Sequence, residues 1–258
     1  MPRKARVVSK SKIYHVILRG VNQQIIFEDE EDFQYFVTIL SKCKEICEYK
    51  IFVYCLMNNH IHLLMEEGEE PLATIFKRIC DRYVYWYNHK YDRIGHLFQA
   101  RFRSEPVETE RYFLTVVRYI FQNPVKAGIV SAVNQYRWCN YQAYVGVKDF
   151  TDTEKVMNYF EGRDEFVSFL NVDSDDNCMD ISSVRYSFVT DEKGKELVEK
   201  ISGCKNVAEF QKLDKKQRNL YIQELKKEGL SVRQISRLTG VSKSIVGQGS
   251  VPCPGRMV

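Results

Sequence analysis

The sequence predicts an α+β chain: a split βαβ unit, ferredoxin-like or RRM-like, with an antiparallel sheet and helices on one face, then a small all-α C-terminal region. Three observations predict it. Apolar strand-like runs and apolar stripes at helical spacing follow one another as strand–helix–strand–strand–helix, then a short strand. The two adjacent strands are joined by Asn58-Asn59, a turn or bulge signal that suits an antiparallel pair. Beyond about residue 196, only helical spacing recurs.

Tyr14 to Leu18 is predicted as the first strand, ending at Arg19-Gly20. Acidic residues from Glu28 to Asp32 suit the first turn of a helix, because carboxylates offset its unpaired N–H groups. That helix carries Phe33, Phe36, Val37, Leu40, Cys43 and Cys47 as one apolar stripe. Ile51 to Met57 and His60 to Glu66 are the second and third strands. Pro71 to Tyr91 is a second helix, rich in aromatic residues. Residues 92–106 read mostly as loop, with a short strand near Phe102. A third helix spans about Glu110 to Asn123, where Pro124 is expected to stop it. A further helix, about Glu154 to Leu170, precedes a polar linker at Asp173 to Asn177. The predicted division is a site-bearing domain at 1–147, an acidic helical connector and linker at 148–195, a helical domain at 196–250 and a disordered tail at 251–258.

Composition narrows the function. A hydrophobic content of 44% in 258 residues supports a real core. No apolar run approaches a membrane span, and the basic N-terminus lacks the apolar stretch of a signal peptide, so a cytoplasmic location is expected. The eight cysteines are scattered without a Cys-x-x-Cys pair and are expected to be reduced thiols. The net charge of +4 hides an asymmetry: +4 in residues 1–147, −7 in 148–196 and +7 in 197–258. Two basic blocks around an acidic one suggest two parts that face nucleic acid.

The chemistry concentrates in His60-Ile61-His62. Side chains alternate on a strand, so both imidazoles point the same way and make half of a divalent-metal site. On the third helix, Tyr119 and Asn123 lie one turn apart on one face. An amide oxygen from Asn123 can complete a shell with His60 and His62. Such a shell suits Mg²⁺ or Mn²⁺ when phosphate oxygens supply further ligands. A tyrosine phenol can attack phosphorus and keep the bond energy for rejoining.

These residues, with Tyr14-His15-Val16, Arg19-Gly20, Gly95 to Phe102 and Asn123 to Gly128, resemble the single-tyrosine transposases of the His–hydrophobe–His class. The nearest resemblance is to the REP-associated, IS200-like members, over roughly residues 12–146. The resemblance implies His60, His62 and Asn123 as metal ligands and Tyr119 as nucleophile. It also implies a single-stranded DNA substrate with hairpins, a 5′-phosphotyrosine product and a free 3′-OH. Candidate DNA contacts are Arg3, Lys4 and Arg6 in the basic tail, Arg19 at the end of the first strand, Arg82, Tyr83 and Tyr87 in the aromatic helix, and Arg101, Arg103 and Arg118 nearer the site. His15 is read as packing or hydrogen bonding on its strand.

Leu230 to Val246 looks like a helix-turn-helix: Ser231 caps the first helix, Gly240 makes the turn, and Arg233, Lys243, Ser244 and Gln248 face duplex DNA. Gly247 and Gly249 are expected to cut the second helix short. Two other readings stay open: a non-catalytic DNA-binding regulator derived from a transposase, and a metallohydrolase that releases free ends. Monomer and homodimer both remain compatible with the sequence.

Overall fold

The computed structural model describes residues 6–99, 101–172, 178–179, 189 and 191–247. Arg3, Lys4, the 173–177 linker, Gln248, Gly249 and the 251–258 tail lie outside the described residues. The chain divides into two compact units, Met1–Ser183 and Val184–Val258.

The first unit begins with β1 (Ile13–Arg19), α1 (Glu30–Cys47), β2 (Lys50–Met57), β3 (His60–Glu66), α2 (Leu72–Lys90), β4 (Arg103–Pro106) and α3 (Glu110–Lys126). The sheet order is β2-β3-β1-β4, and every pairing is antiparallel. This is the split βαβ arrangement: β3 returns between β1 and β2 and pairs with both.

Period-two alternation sends each strand's side chains into two cores. Val16, Leu18, Ile61 and Leu63 pack on one face against Phe36 and Leu40 of α1 and Ile75 and Ile79 of α2. Ile13, Val53, Cys55 and Leu64 pack on the other face against Phe113, Val116 and Ile120 of α3. Helices on one face, as the sequence predicts, therefore holds for α1 and α2 only. The third helix covers the opposite face, because the strands are apolar on both sides.

Two further departures concern helix ends. Pro124 does not stop α3, which runs to Lys126. A proline removes one N–H donor, and the helix continues for a turn, closing with Ala127 N–H on the Asn123 carbonyl at 2.9 Å. The helix predicted over 154–170 is two short ones, α5 (Glu154–Met157) and α6 (Arg163–Asn171), after α4 (Tyr141–Val145). Phe166 and Leu170 are buried with Phe121 and Tyr144 in the α3 core, and Gln122 Nε2 donates to the Leu170 carbonyl at 2.8 Å. The acidic segment is thus folded into the first unit through Asn171 rather than being a separate connector there.

The N-terminus of α1 is held by a half-buried cluster around the fully buried Asp32. Asp29 and Asp32 form a reciprocal capping box. Lys90 Nζ lies 2.8 Å from Asp29 and 2.9 Å from Asp32, and the Tyr91 hydroxyl donates to Asp32 at 2.7 Å. Burial pushes the Asp32 carboxyl up, and Lys90 and Tyr91 oppose that shift. Asp32→Ala removes a fully buried carboxylate and leaves Lys90 and two backbone N–H groups short of an acceptor. A loss of about 3–5 kcal/mol is expected, read by urea unfolding followed through Trp86 and Trp138. An unchanged midpoint would show that the cluster is not holding α1 to α2.

The second unit contains α7 (Asp191–Ser202), α8 (Val207–Lys212), α9 (Lys215–Lys227), α10 (Val232–Thr239) and α11 (Lys243–Gly247) around buried Phe210, Leu225, Ile235 and Val246. Ser231 and Gln234 form a capping box on α10, and Gly240 takes a left-handed conformation (φ +68°) in the turn before α11. No described helix is long and apolar enough to cross a membrane. The seven described cysteines are free thiols.

Candidate active site

The site is built where the last residues of β1 and the first of β3 meet α3. The register places His62 opposite Ile17 on β1 and Cys55 on β2, and His60 opposite Arg19. Both histidines share the α3-facing side of the sheet with His15. His62 and His15 are fully buried, and His60 is half-buried.

α3 supplies the other half. Thr109 caps it, and its inner face carries Val116, Ile120, Tyr119 and Asn123 toward the sheet. The Tyr119 ring, 6% exposed, lies edge-on to His62 at 5.7 Å and to His15 at 5.8 Å between centroids. The Asn123 amide meets His62 Nε2 at 3.3 Å, and the His60 and His62 rings are 4.9 Å apart. His62 Nδ1 lies 3.1 Å from His15 Nε2, and His60 Nδ1 lies 2.6 Å from the Asn59 amide oxygen. Lys126 Nζ stands 5.8 Å from the Tyr119 ring centre. The Tyr119, Asn123, Lys126 series is readable in the sequence as one helical face, although only its first two members are singled out there.

Electrostatics favour neutral rings. Burial, then the neighbouring His60 and His15, hold His62 well below the usual imidazole range. Burial alone pushes His15 down to about 3. Neutral imidazoles keep the lone pair that a metal needs. No group of three or more His, Cys, Asp or Glu side chains among the described residues is placed to hold a metal. Asn123 is the side-chain amide that meets these imidazoles, at His62 Nε2. Two imidazoles and an amide oxygen, with substrate oxygens completing the shell, fit a hard or borderline divalent cation.

The predicted DNA contacts divide. Arg19 ends β1 directly across from His60. Arg103 is exposed on the edge strand opposite Ile17, on the same face as His62. Arg118 packs over the Phe169 ring at 4.8 Å, against α6. Arg6 lies 3.7 Å above the Phe102 ring and, with Arg101, lines a cavity of about 680 Å³ floored by Leu18 and Phe76, on the α2 side of the sheet. Arg82 is exposed and donates to the Cys43 sulfur at 3.4 Å.

Tyr83 and Tyr87 are corrected by the structure: both are fully buried and offer no stacking surface. Their hydroxyls donate to the carbonyls of Ile26 (2.6 Å) and Ile25 (3.2 Å). They continue the core stripe of Phe76 and Ile79, so the ring exposed on α2 is Tyr85 instead. Arg233, Lys243 and Ser244 belong to the second unit, where Lys243 and Ser244 are exposed.

The family model for IS200-like transposases matches residues 8–123. A Haemophilus influenzae protein named as a REP-associated tyrosine transposase is 28% identical over 116 residues, which cover 39% of this chain and 65% of that protein. The match thus spans just under two thirds of the relative's length. A solved REP-associated tyrosine transposase, bound to a REP hairpin, aligns with a TM-score of 0.47 at 18% identity, covering 60% of this chain and 96% of its own. The matched segment holds the whole sheet, both histidines of β3, Tyr119 and, as its last residue, Asn123: over residues 8–123 this chain is similar to the IS200-like transposases.

Proposed function

We propose that this chain cleaves and rejoins single-stranded DNA, with Tyr119 as the nucleophile, in the manner of a transposase. The observation that carries this reading is the meeting of Tyr119 and Asn123, one helical turn apart, on the same buried His62 of the His60-Ile61-His62 strand. The Tyr119 phenol oxygen attacks the scissile phosphorus. A 5′-phosphotyrosine forms and the 3′-oxygen leaves as a free hydroxyl. Attack of a 3′-OH on the phosphotyrosine reverses the exchange and joins strands.

His60, His62 and Asn123 would hold Mg²⁺ or Mn²⁺, which when bound supplies Lewis-acid polarisation of the phosphate. Lys126 adds positive charge beside the phenol ring, and Arg19 and Arg103 supply it on the histidine face of the sheet. The proposed substrate carries hairpins beside the cleavage point. Duplex DNA is assigned to α10 and α11 through Arg233, Lys243 and Ser244.

The test is a cleavage assay on single-stranded oligonucleotides drawn from the sequences flanking the gene, with Mn²⁺ or Mg²⁺ and with EDTA. A metal-dependent band of protein joined covalently to DNA is expected. Hairpin binding without an adduct under either metal would instead support a DNA-binding regulator. Cleavage to free ends without an adduct would support a metallohydrolase.

A further inference from the structure

Both histidines of β3 have a hydrogen-bonding partner set against the same ring atom, Nδ1. His62 Nδ1 faces His15 Nε2 at 3.1 Å, while its Nε2 faces Asn123. His60 Nδ1 faces the Asn59 amide oxygen at 2.6 Å. The Asn59 amide can be oriented from its surroundings: its nitrogen lies 3.4 Å from the Gln23 carbonyl, which only accepts, so its oxygen turns to His60. An amide oxygen also only accepts, so His60 Nδ1 carries the proton. Nε2 of His60 is then the nitrogen with a lone pair.

For His62 the cue is the Asn123 amide nitrogen, a donor, which faces Nε2 at 3.3 Å and calls for a lone pair there. His62 Nε2 lies on the site side, and a lone pair there requires the proton on Nδ1. In a fully enclosed position that proton needs an acceptor, and His15 Nε2 is within reach. The two rings are nearly parallel, 24° apart at 5.4 Å, so His15 also limits rotation of His62. A packing role alone explains His15 poorly. It is completely buried among Ile13, Ile17 and Leu64, and its Nδ1 has no hydrogen-bond partner among the described residues. An apolar ring of that size would avoid the cost of an unmet polar atom.

We propose that His15 and Asn59 are positioning residues: they hold the proton of His62 and of His60 on Nδ1 and thereby present both Nε2 atoms to the metal and substrate side. The proposal rests on the metal reading above for its consequence, but not for its first measurement. Backing of a ligand histidine by an acceptor fixes its tautomer and raises its basicity.

The experiment uses the full chain labelled with ¹⁵N-histidine, metal-free, with resonances assigned through His60→Gln and His62→Gln. The expected spectrum shows both residues as the Nδ1–H tautomer, opposite to the one free histidine favours. His62 or His60 as the Nε2–H tautomer overturns the proposal whatever the metal does. Mn²⁺ titration then follows. His15→Phe and Asn59→Leu are expected to weaken Mn²⁺ binding about 10–100-fold, and His15→Gln, which restores an acceptor, to recover most of that loss. Wild-type affinity in both His15→Phe and Asn59→Leu overturns the positioning role.

A wild-type chain that binds no Mn²⁺ sinks the metal reading instead, while the tautomer spectrum still decides the proton positions. Should His15→Phe fail to fold, the wild-type spectrum and Asn59→Leu, at a half-buried turn, decide the outcome.

Discussion

Tyr119→Phe is expected to abolish the covalent protein–DNA adduct while leaving fold and DNA binding in place. The substitution deletes one oxygen. The ring keeps its edge-on contacts with His62 at 5.7 Å and His15 at 5.8 Å, so the packing of α3 on the sheet is preserved. The stability change should stay within about 1.5 kcal/mol, the usual scale of a single hydroxyl's hydrogen bonding. Adduct formation, by contrast, loses the atom proposed to attack phosphorus. A fall of about 10⁴-fold or more is expected, as for removal of other enzyme nucleophiles. The measurement is the gel-shifted covalent band on a flanking-sequence oligonucleotide with Mn²⁺, alongside binding of the same hairpin. An adduct of wild-type yield in Tyr119→Phe would falsify the assignment of the nucleophile. Loss of the adduct together with loss of binding would point to a damaged fold and call for the urea midpoint to be compared.

The second large effect separates the two histidines of β3. His60→Ala and His62→Ala should each reduce metal-dependent cleavage about 10²–10³-fold, the scale for loss of one stabiliser of developing charge. Their effects on stability should differ. His62 is fully buried between β1, β2 and α3, and its removal strands His15 Nε2 and the Asn123 amide. It is expected to cost about 2–4 kcal/mol. His60 is half-buried at the start of β3 and should cost less than about 1 kcal/mol. Cleavage rates in Mn²⁺ and Mg²⁺, paired with urea unfolding read through Trp86 and Trp138, check both halves. His60→Ala cleaving at the wild-type rate in either metal would reduce the histidine pair to scaffold.

Much of this is legible in one dimension because strands and helices have short, distinct repeats. β3 runs from His60 to Glu66, as the alternation predicts, so His60 and His62 share a face before any tertiary contact is known. The same is true of Tyr119 and Asn123 at helical spacing. Tyr83 and Tyr87 show the limit of reading composition in place of period. The interleaved rings and cations of residues 82–91 suggest a stacking surface. The spacing of Ile75, Phe76, Ile79, Tyr83 and Tyr87 is nevertheless one continuous stripe, and that stripe is the core face of α2. Pro124 shows another limit: a single missing donor is a weak signal, and packing of α3 against the sheet and α6 carries the helix past it.

What the sequence determined by itself is which residues share a face within each element, because that follows from the geometry of a strand or a helix alone. What only the tertiary structure decided is which faces meet. The strands are apolar on both sides, so no local pattern says that α3 covers the side opposite α1 and α2. That choice depends on packing between distant segments. It brings Asn123 to His62, 61 residues away, and puts His15 behind it, 47 residues away.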